Sequence, residues 1–348
     1  MFKKILIAVL AVMLAACSSE KLIDESSSNQ KLIIASFDGT NSHILSTDLN
    51  SSLTESNDLY SQANANYITH FPITRLQVYL NYIFAFVPDE NKIIIFNKNS
   101  FKYVAQIDFS SQKLRPLKLA FANATDAYLI CENYNKLILV DIYYFKAARE
   151  IDLPASATDI LALGNQVFIA LPFANQIAIV DCRSHAIASS IAVDNRPYIF
   201  ALTSEATNLI VLSAGAGKLN LDPLGTITGP SVTNIDLSSN SVTGTSPLTI
   251  PSFDITYKCP LQFAITNNDW GFIALDSMLL KMDARDITFA INLYNAQILS
   301  FSQNYLANYL FALERTDNGM IIEKLDPITG SLINSLQTQL NITSFVSL

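Results

Sequence analysis

Three observations on the 348-residue sequence predict an all-β fold. Short runs rich in Ile, Val, Leu, Phe and Tyr recur with turn residues between them, and helical periodicity is weak throughout. One phrase also repeats: an apolar run, an Asp or Asn, a few polar residues, then a second apolar run. It reads Ser42-His43-Ile44-Leu45-Ser46-Thr47-Asp48, Lys92-Ile93-Ile94-Ile95-Phe96-Asn97, Lys136-Leu137-Ile138-Leu139-Val140-Asp141 and Gln176-Ile177-Ala178-Ile179-Val180-Asp181. It continues as Ser231-Val232-Thr233-Asn234-Ile235-Asp236, Met278-Leu279-Leu280-Lys281-Met282-Asp283 and Met320-Ile321-Ile322-Glu323-Lys324-Leu325-Asp326. The closing acids or amides lie 49, 44, 40, 55, 47 and 43 residues apart, so seven units of about 40 to 50 residues follow one another.

Each unit is assembled in order around that run. A strand-like segment precedes it by some ten residues, at 82–87, 127–131, 166–171, 209–213, 271–275 and 309–313. Another follows it, as at 103–109 and 186–193, and a more variable one leads the unit, as at 116–121 and 198–203. Four strands per unit and seven units predict a seven-bladed β-propeller over residues 31–348, whose radial arrangement leaves only short, protected edges. The last unit ends its outer strand near 332–336, yet a further strand-like run follows at Asn341 to Leu348. Unit one begins at Lys31-Leu32-Ile33-Ile34-Ala35 with no inner strand ahead of it, so the C-terminal strand is expected to join blade one and close the ring.

The wording of the units resembles the YVTN family of seven-bladed β-propellers. Asp326-Pro327-Ile328-Thr329-Gly330 matches that family's turn after the third strand, and Asn91, Asn135 and Asn175 stand where it places Asn before that strand. Val193-Asp194-Asn195-Arg196-Pro197-Tyr198-Ile199-Phe200-Ala201 and Arg115-Pro116-Leu117-Lys118-Leu119-Ala120 resemble its lead into the next inner strand. Glycine is scarcer than in that family. Quinoprotein-type propellers would need a tryptophan in most repeats, where this chain has only Trp270, and kelch repeats would need paired glycines.

The N-terminus reads as an export signal. Lys3 and Lys4 open it, Ile5 to Leu14 form an apolar run too short to span a bilayer, and Leu14-Ala15-Ala16-Cys17 closes it. That tetrad resembles the lipobox of bacterial lipoproteins. The resemblance implies removal of residues 1–16, lipidation of Cys17 by palmitate-type chains, and a flexible tether over residues 17–30 ahead of the propeller. Ser18, where that family uses Asp to retain proteins on the inner membrane, implies an outer-membrane location facing the periplasm if the cell has two membranes. Two or more acyl chains hold a protein stably where one does not.

The mature chain would carry 20 basic against 30 acidic residues, which repels nucleic acid and anionic headgroups and leaves lipid as the membrane contact. Charged residues are only 15% and hydrophobic ones 50% of the chain, as a large packed core requires. Beyond Cys17 the cysteines are Cys131, Cys182 and Cys259, an odd number with no Cys-x-x-Cys pair. Cys131 ends an apolar run and reads as a buried small hydrophobe; a Cys131 to Cys182 bridge is the less favoured alternative.

No catalytic or metal constellation is legible, and no cofactor is expected. His43, His70 and His185 fall at non-equivalent places and read as surface or strand-edge residues. The repeated Asp reads as a turn residue. Phosphate loops, nucleophile elbows and His-Glu-x-x-His pairs are missing from the sequence. The long connections Leu49 to Pro72 and Ala214 to Pro230, the second holding Gly215, Gly217, Gly225 and Gly229, are expected to crown one face of the disc. Tyr60, Tyr67, Phe71, Phe253 and Tyr257 there offer aromatic anchors for a partner. The favoured function is thus a lipid-anchored envelope scaffold that binds another envelope protein. The alternatives are a hydrolase like the lactonases that some YVTN-type propellers resemble, acting at the channel mouth, and a surface adhesin.

Overall fold

In a computed structural model, residues 31–50, 52–215, 229–250, 254–255, 260–275, 277–304 and 309–348 are described. They form an all-β propeller of seven antiparallel sheets. The first sheet contains β1 (Leu32–Phe37) and β2 (Ser42–Thr47). The second runs β3 (Arg75–Tyr79), β4 (Tyr82–Val87), β5 (Lys92–Asn97) and β6 (Tyr103–Asp108). The third holds β7 (Pro116–Phe121), β8 (Asp126–Cys131), β9 (Lys136–Asp141) and β10 (Lys146–Asp152), and the fourth β11 (Asp159–Leu163), β12 (Gln166–Leu171), β13 (Gln176–Asp181) and β14 (Ala186–Ala192). The fifth holds β15 (Pro197–Leu202), β16 (Asn208–Ser213), β17 (Ser231–Asp236) and β18 (Ser241–Pro247), and the sixth β19 (Pro260–Ile265), β20 (Trp270–Leu275), β21 (Met278–Asp283) and β22 (Asp286–Tyr294). The seventh comprises β23 (Gln297–Asn304), β24 (Tyr309–Thr316), β25 (Gly319–Leu325) and β26 (Leu332–Thr338).

The last strand, β27 (Ile342–Ser347), pairs antiparallel with β1 and is the inner strand of the first sheet, so the ring closes as expected. Leu348 donates its N–H to the Lys31 carbonyl at 3.0 Å, and Phe37 donates to the Asn341 carbonyl at 3.0 Å, fastening both ends of that pairing. The inner strands neighbour one another in a closed cycle, β27, β3, β7, β11, β15, β19, β23 and back to β27, around a central channel. Side chains stitch this inner wall to backbone. Leu76 donates its N–H to Ser344 Oγ at 2.9 Å, Leu119 to Gln77 Oε1 at 2.9 Å, and Ser347 to Ser302 Oγ at 2.8 Å.

The middle strands are buried on both faces because blades pack face to face, which explains their unbroken apolar runs such as Ile93-Ile94-Ile95-Phe96. Between the second and third sheets Phe84, Phe86, Ile93, Ile95, Leu129 and Ile138 share one core, each fully buried aromatic or branched side chain contributing about 1.5–3 kcal/mol. The outer strands are mostly exposed.

Each recurring Asp or Asn makes an Asx turn after the third strand of its blade. Asn97 accepts from Asn99 and Ser100, Asp181 from Arg183 and Ser184, Asp236 from Ser239, Asp283 from Arg285, and Asp326 from Ile328 and Thr329. Four residues beyond the anchor the backbone is left-handed at Phe101, Phe145, His185, Asn240 and Gly330. The residue before each third strand accepts from the end of the fourth: Phe109 to Asn91, Leu153 to Asn135, Val193 to Asn175, Leu248 to Pro230 and Ala296 to Ser277.

The first sheet departs from the four-stranded pattern. Its order is β2-β1-β27, and a 3-10 turn (Glu55–Asn57) and a short helix α1 (Leu59–Asn64) pack beside β2 where other blades carry a fourth strand. Asp58 caps α1, accepting from Tyr60 N at 3.0 Å and Ser61 N at 3.3 Å, and from the exposed edge of β2 through Ile44 N at 3.2 Å. A sheet edge is thereby covered by a helix, a standard defence against edge-to-edge pairing.

Cys131 is buried, and both it and Cys182 are free thiols, as the reading of Cys131 as a small hydrophobe anticipates. Burial pushes the Cys131 thiol up to about 12. Cys17, Phe253, Tyr257 and Cys259, with residues 1–16 and the rest of residues 17–30, lie outside the described residues. Among the described residues no helix is long and apolar enough to cross a membrane.

Candidate functional site

The connection from β2 to β3 folds back over the turn between β1 and β2. Ser42 donates its N–H to the Thr69 carbonyl at 2.9 Å and its hydroxyl to the Phe71 carbonyl at 2.7 Å, while His70 Nδ1 and Asn41 Oδ1 meet at 2.7 Å. This brings three of the five expected aromatic anchors to one corner of the disc. Tyr67 and Phe71 are 45% and 42% exposed there. Tyr60 is not an exposed anchor: it is 3% exposed, because the Asp58 cap starts α1 in a phase that turns the ring inward onto Phe96, at 5.6 Å edge to face. Burial pushes its hydroxyl up to about 12.

The same corner holds a polar chain that the sequence reading missed. His43, at 4% exposure, lies on edge strand β2 but not on the surface. Its Nδ1 stands 3.3 Å from Asp58 Oδ2 and its Nε2 3.1 Å from Asp38 Oδ2. Asp38 Oδ1 accepts from Thr40 N at 2.6 Å and Asn41 N at 2.7 Å in the β1–β2 turn. The Asn41 bond, the His43 contact and the Thr40 bond hold the Asp38 carboxyl down to about 2. The 3-10 turn brings Glu55 alongside, so that one ligand-capable atom each from Asp38, His43 and Glu55 lies within 4.8 Å of the others. The Tyr67 ring stands edge-on to the imidazole at 5.4 Å. The available signal is Asp38, His43, Glu55 and Asp58 clustering around β2, in the turn before it, on it and in the connection after it. No strand or helix period relates them, so spacing alone does not assemble them.

His70 is exposed, and His185 is half-buried with Nδ1 2.7 Å from the Tyr128 hydroxyl, so the three histidines form no common cluster. On the same face as the β1–β2 turn, a depression of about 520 Å³ opens beside the β16–β17 connection, lined in part by Asp194, Ser231 and Asp254.

Inside the channel, charges come from three successive inner strands. Lys118 on β7 pairs with the nearly buried Asp159 on β11, whose other oxygen accepts from Phe200 N on β15 at 3.0 Å. Arg75 on β3 lies close enough to feel the Asp159 charge. Arg75 is half-buried, and burial lowers its pKa from the ordinary guanidinium value.

The fold and these sites define the protein as a seven-bladed β-propeller with a decorated first blade. Neither a family model nor a curated protein sequence matches the chain. Among solved structures, hydrazine synthase of Kuenenia stuttgartiensis is similar to it, with a TM-score of 0.62 and 14% identity over 78% of this chain and 88% of that one. At that identity the likeness shows the fold alone.

Proposed function

We propose that this protein is a lipid-anchored propeller of the cell envelope that works by binding another envelope protein, as an interaction or assembly scaffold. The observation that carries the binding reading is the exposure of both Tyr67 and Phe71 on the β2–β3 connection, just beyond the helix that stands in for an outer strand of the first blade. Large aromatic side chains on a rigid rim are the residue types that anchor protein interfaces. A net formal charge of −8 over the whole chain disfavours nucleic acid and anionic lipid surfaces as the partner. The anchoring reading rests on Leu14-Ala15-Ala16-Cys17 and its resemblance to a lipobox. In a cell with two membranes, Ser18 favours the outer membrane, facing the periplasm.

The test is crosslinking in the native cells, comparing wild type with Cys17→Ser and with a Tyr67→Ala, Phe71→Ala double variant. The reading expects Cys17→Ser to leave the membrane fraction and the double variant to remain there while losing one reproducibly captured envelope protein. A Cys17→Ser protein still held at the membrane overturns the anchoring. If no protein is captured by wild type, the scaffold reading fails, and the channel becomes the place to screen hydrolysable small molecules.

A further inference from the structure

We propose that Asp38, His43 and Glu55 form a binding site for a divalent transition-metal ion of the zinc class, with Asp58 as the outer-shell carboxylate that orients the histidine. The proposal is independent of the lipid anchor and of the scaffold reading.

The argument starts at Asp58, which is 3% exposed. Its Oδ1 is occupied by three backbone N–H groups, from Ile44, Tyr60 and Ser61, at 3.2, 3.0 and 3.3 Å. That leaves Oδ2 to accept from His43 Nδ1 at 3.3 Å. Both ring nitrogens thus face carboxylate oxygens, with Nε2 3.1 Å from Asp38 Oδ2, and once Nδ1–H is given to Asp58 the Nε2 lone pair is the one available to an ion. That contact is attractive with either a second ring proton or a metal ion between the nitrogen and the carboxylate oxygen. Metal-bound histidines characteristically donate their other ring N–H to a carboxylate, which is the arrangement Asp58 provides.

Two further features point to a metal ion rather than a proton. Asp38 Oδ1 is consumed by the turn amides, so Oδ2 is the atom free to ligate. The half-buried Glu55 offers its backbone carbonyl to Asp58 N, while its carboxylate makes no hydrogen bond or ion pair among the described residues, yet is held within 4.8 Å of the Asp38 and His43 ligand atoms. Three carboxylates, those of Asp38, Glu55 and Asp58, surround one imidazole, so even a protonated ring leaves the site net negative. Ligands at about 2.0–2.2 Å from a tetrahedral ion lie roughly 3.3–3.6 Å apart, so the existing 3.1 Å nitrogen–oxygen separation needs only a small adjustment. One imidazole and two carboxylates suit zinc and its neighbours better than magnesium or calcium, which take all-oxygen shells. Three protein ligands leave a fourth position for water. The ion would tie the 3-10 turn to the β1–β2 turn and so fasten the segment that covers the edge of β2.

The test is a titration of the full-length, chelator-stripped protein in detergent with Zn²⁺, read by calorimetry and thermal melting, with Co²⁺ absorption reporting ligand geometry. One equivalent is expected to bind and to raise the melting temperature, while Mg²⁺ at the same concentration does neither. Glu55→Gln, in a short turn that buries no side chain, should fold normally while losing at least about tenfold in affinity, and Asp58→Asn should lose about 10- to 100-fold. His43→Gln should abolish binding, with circular dichroism reporting whether it folds. Absence of binding up to about 1 mM in wild type overturns the proposal. So does binding that Glu55→Gln leaves unchanged, since the ion would then sit elsewhere.

Discussion

At Gly330 the side chain matters more than the backbone angle. Its φ of +76° is matched by φ of +57° at Phe101, +50° at Phe145 and +51° at Asn240, at the same place in other blades, so a side chain can occupy that conformation. A Cβ at Gly330, however, would stand 2.5 Å from Leu293 Cδ1 and 3.3 Å from Phe272 Cε1. Gly330→Ala should therefore cost about 2–4 kcal/mol in urea denaturation, combining left-handed strain with overpacking. Asn240→Gly, where no glycine-only contact exists, should stay within about 1 kcal/mol of wild type. The recurring Asp was legible as a turn residue because an Asx turn is local: carboxylate and acceptor amides lie two or three residues apart. Tyr60 was misread as exposed because its direction depends on the phase of α1, and that phase is set by Asp58, whose second oxygen serves a histidine fifteen residues earlier.

Among the elements, the inner strands carry the polar ties that the apolar pattern does not reveal. Asp159 is 3% exposed and serves Lys118, its neighbour Ile160 N and Phe200 N, so it joins three consecutive blades. Asp159→Ala should destabilise by about 3–5 kcal/mol, because it strands a partly buried ammonium and a backbone donor together. Asp159→Asn, which keeps an acceptor, should lose less; equal losses would mean that the charge carries the whole effect. Strand β27 makes the corresponding test of closure. It buries Ile342 and Phe345 and supplies Ser344 to the Leu76 amide. Deleting Ile342 to Leu348 should lower the thermal midpoint by about 10 °C or more, and an unchanged midpoint would disprove closure through this strand. The strands themselves were legible to within a residue or two, as at Lys92–Asn97 and Met278–Asp283, since a middle strand buried on both faces must be apolar throughout. The helix beside β2 was not. Its six residues carry no periodic stripe, and only the edge it covers explains it.

Over the whole molecule, burial stores a set of neutral acids. Cys131 is held from its ordinary 9.0 up to about 12 and Tyr60 from 10.0 up to about 12, and burial also raises the Tyr128 and Tyr294 hydroxyls. The unfolded chain releases these protons first, so their contribution is fully present below about pH 9 and is lost as pH rises towards 12. Unfolding free energy measured in denaturant should fall steadily over that window, and Cys131 should resist alkylation until the protein unfolds. Seven units and a closing strand could be read from the chain because a propeller repeats the same local solution. The corner that gathers Asp38, His43, Glu55 and Asp58 could not, since it occurs once and only in the blade that breaks the repeat.

That blade also sets a clock. Its sheet joins the first described residues to the last: Thr343 donates its hydroxyl to the Ala35 carbonyl, 308 positions away, at 3.3 Å. A polypeptide made from its N-terminus can complete the six later blades one after another, each from contiguous sequence. β1 and β2 must wait, as an unfinished pair, until Ile342–Ser347 is synthesised. A chain released before β27 would therefore remain an open ring with one β1 edge unpaired, so the seam reports that every blade between its two halves has been made.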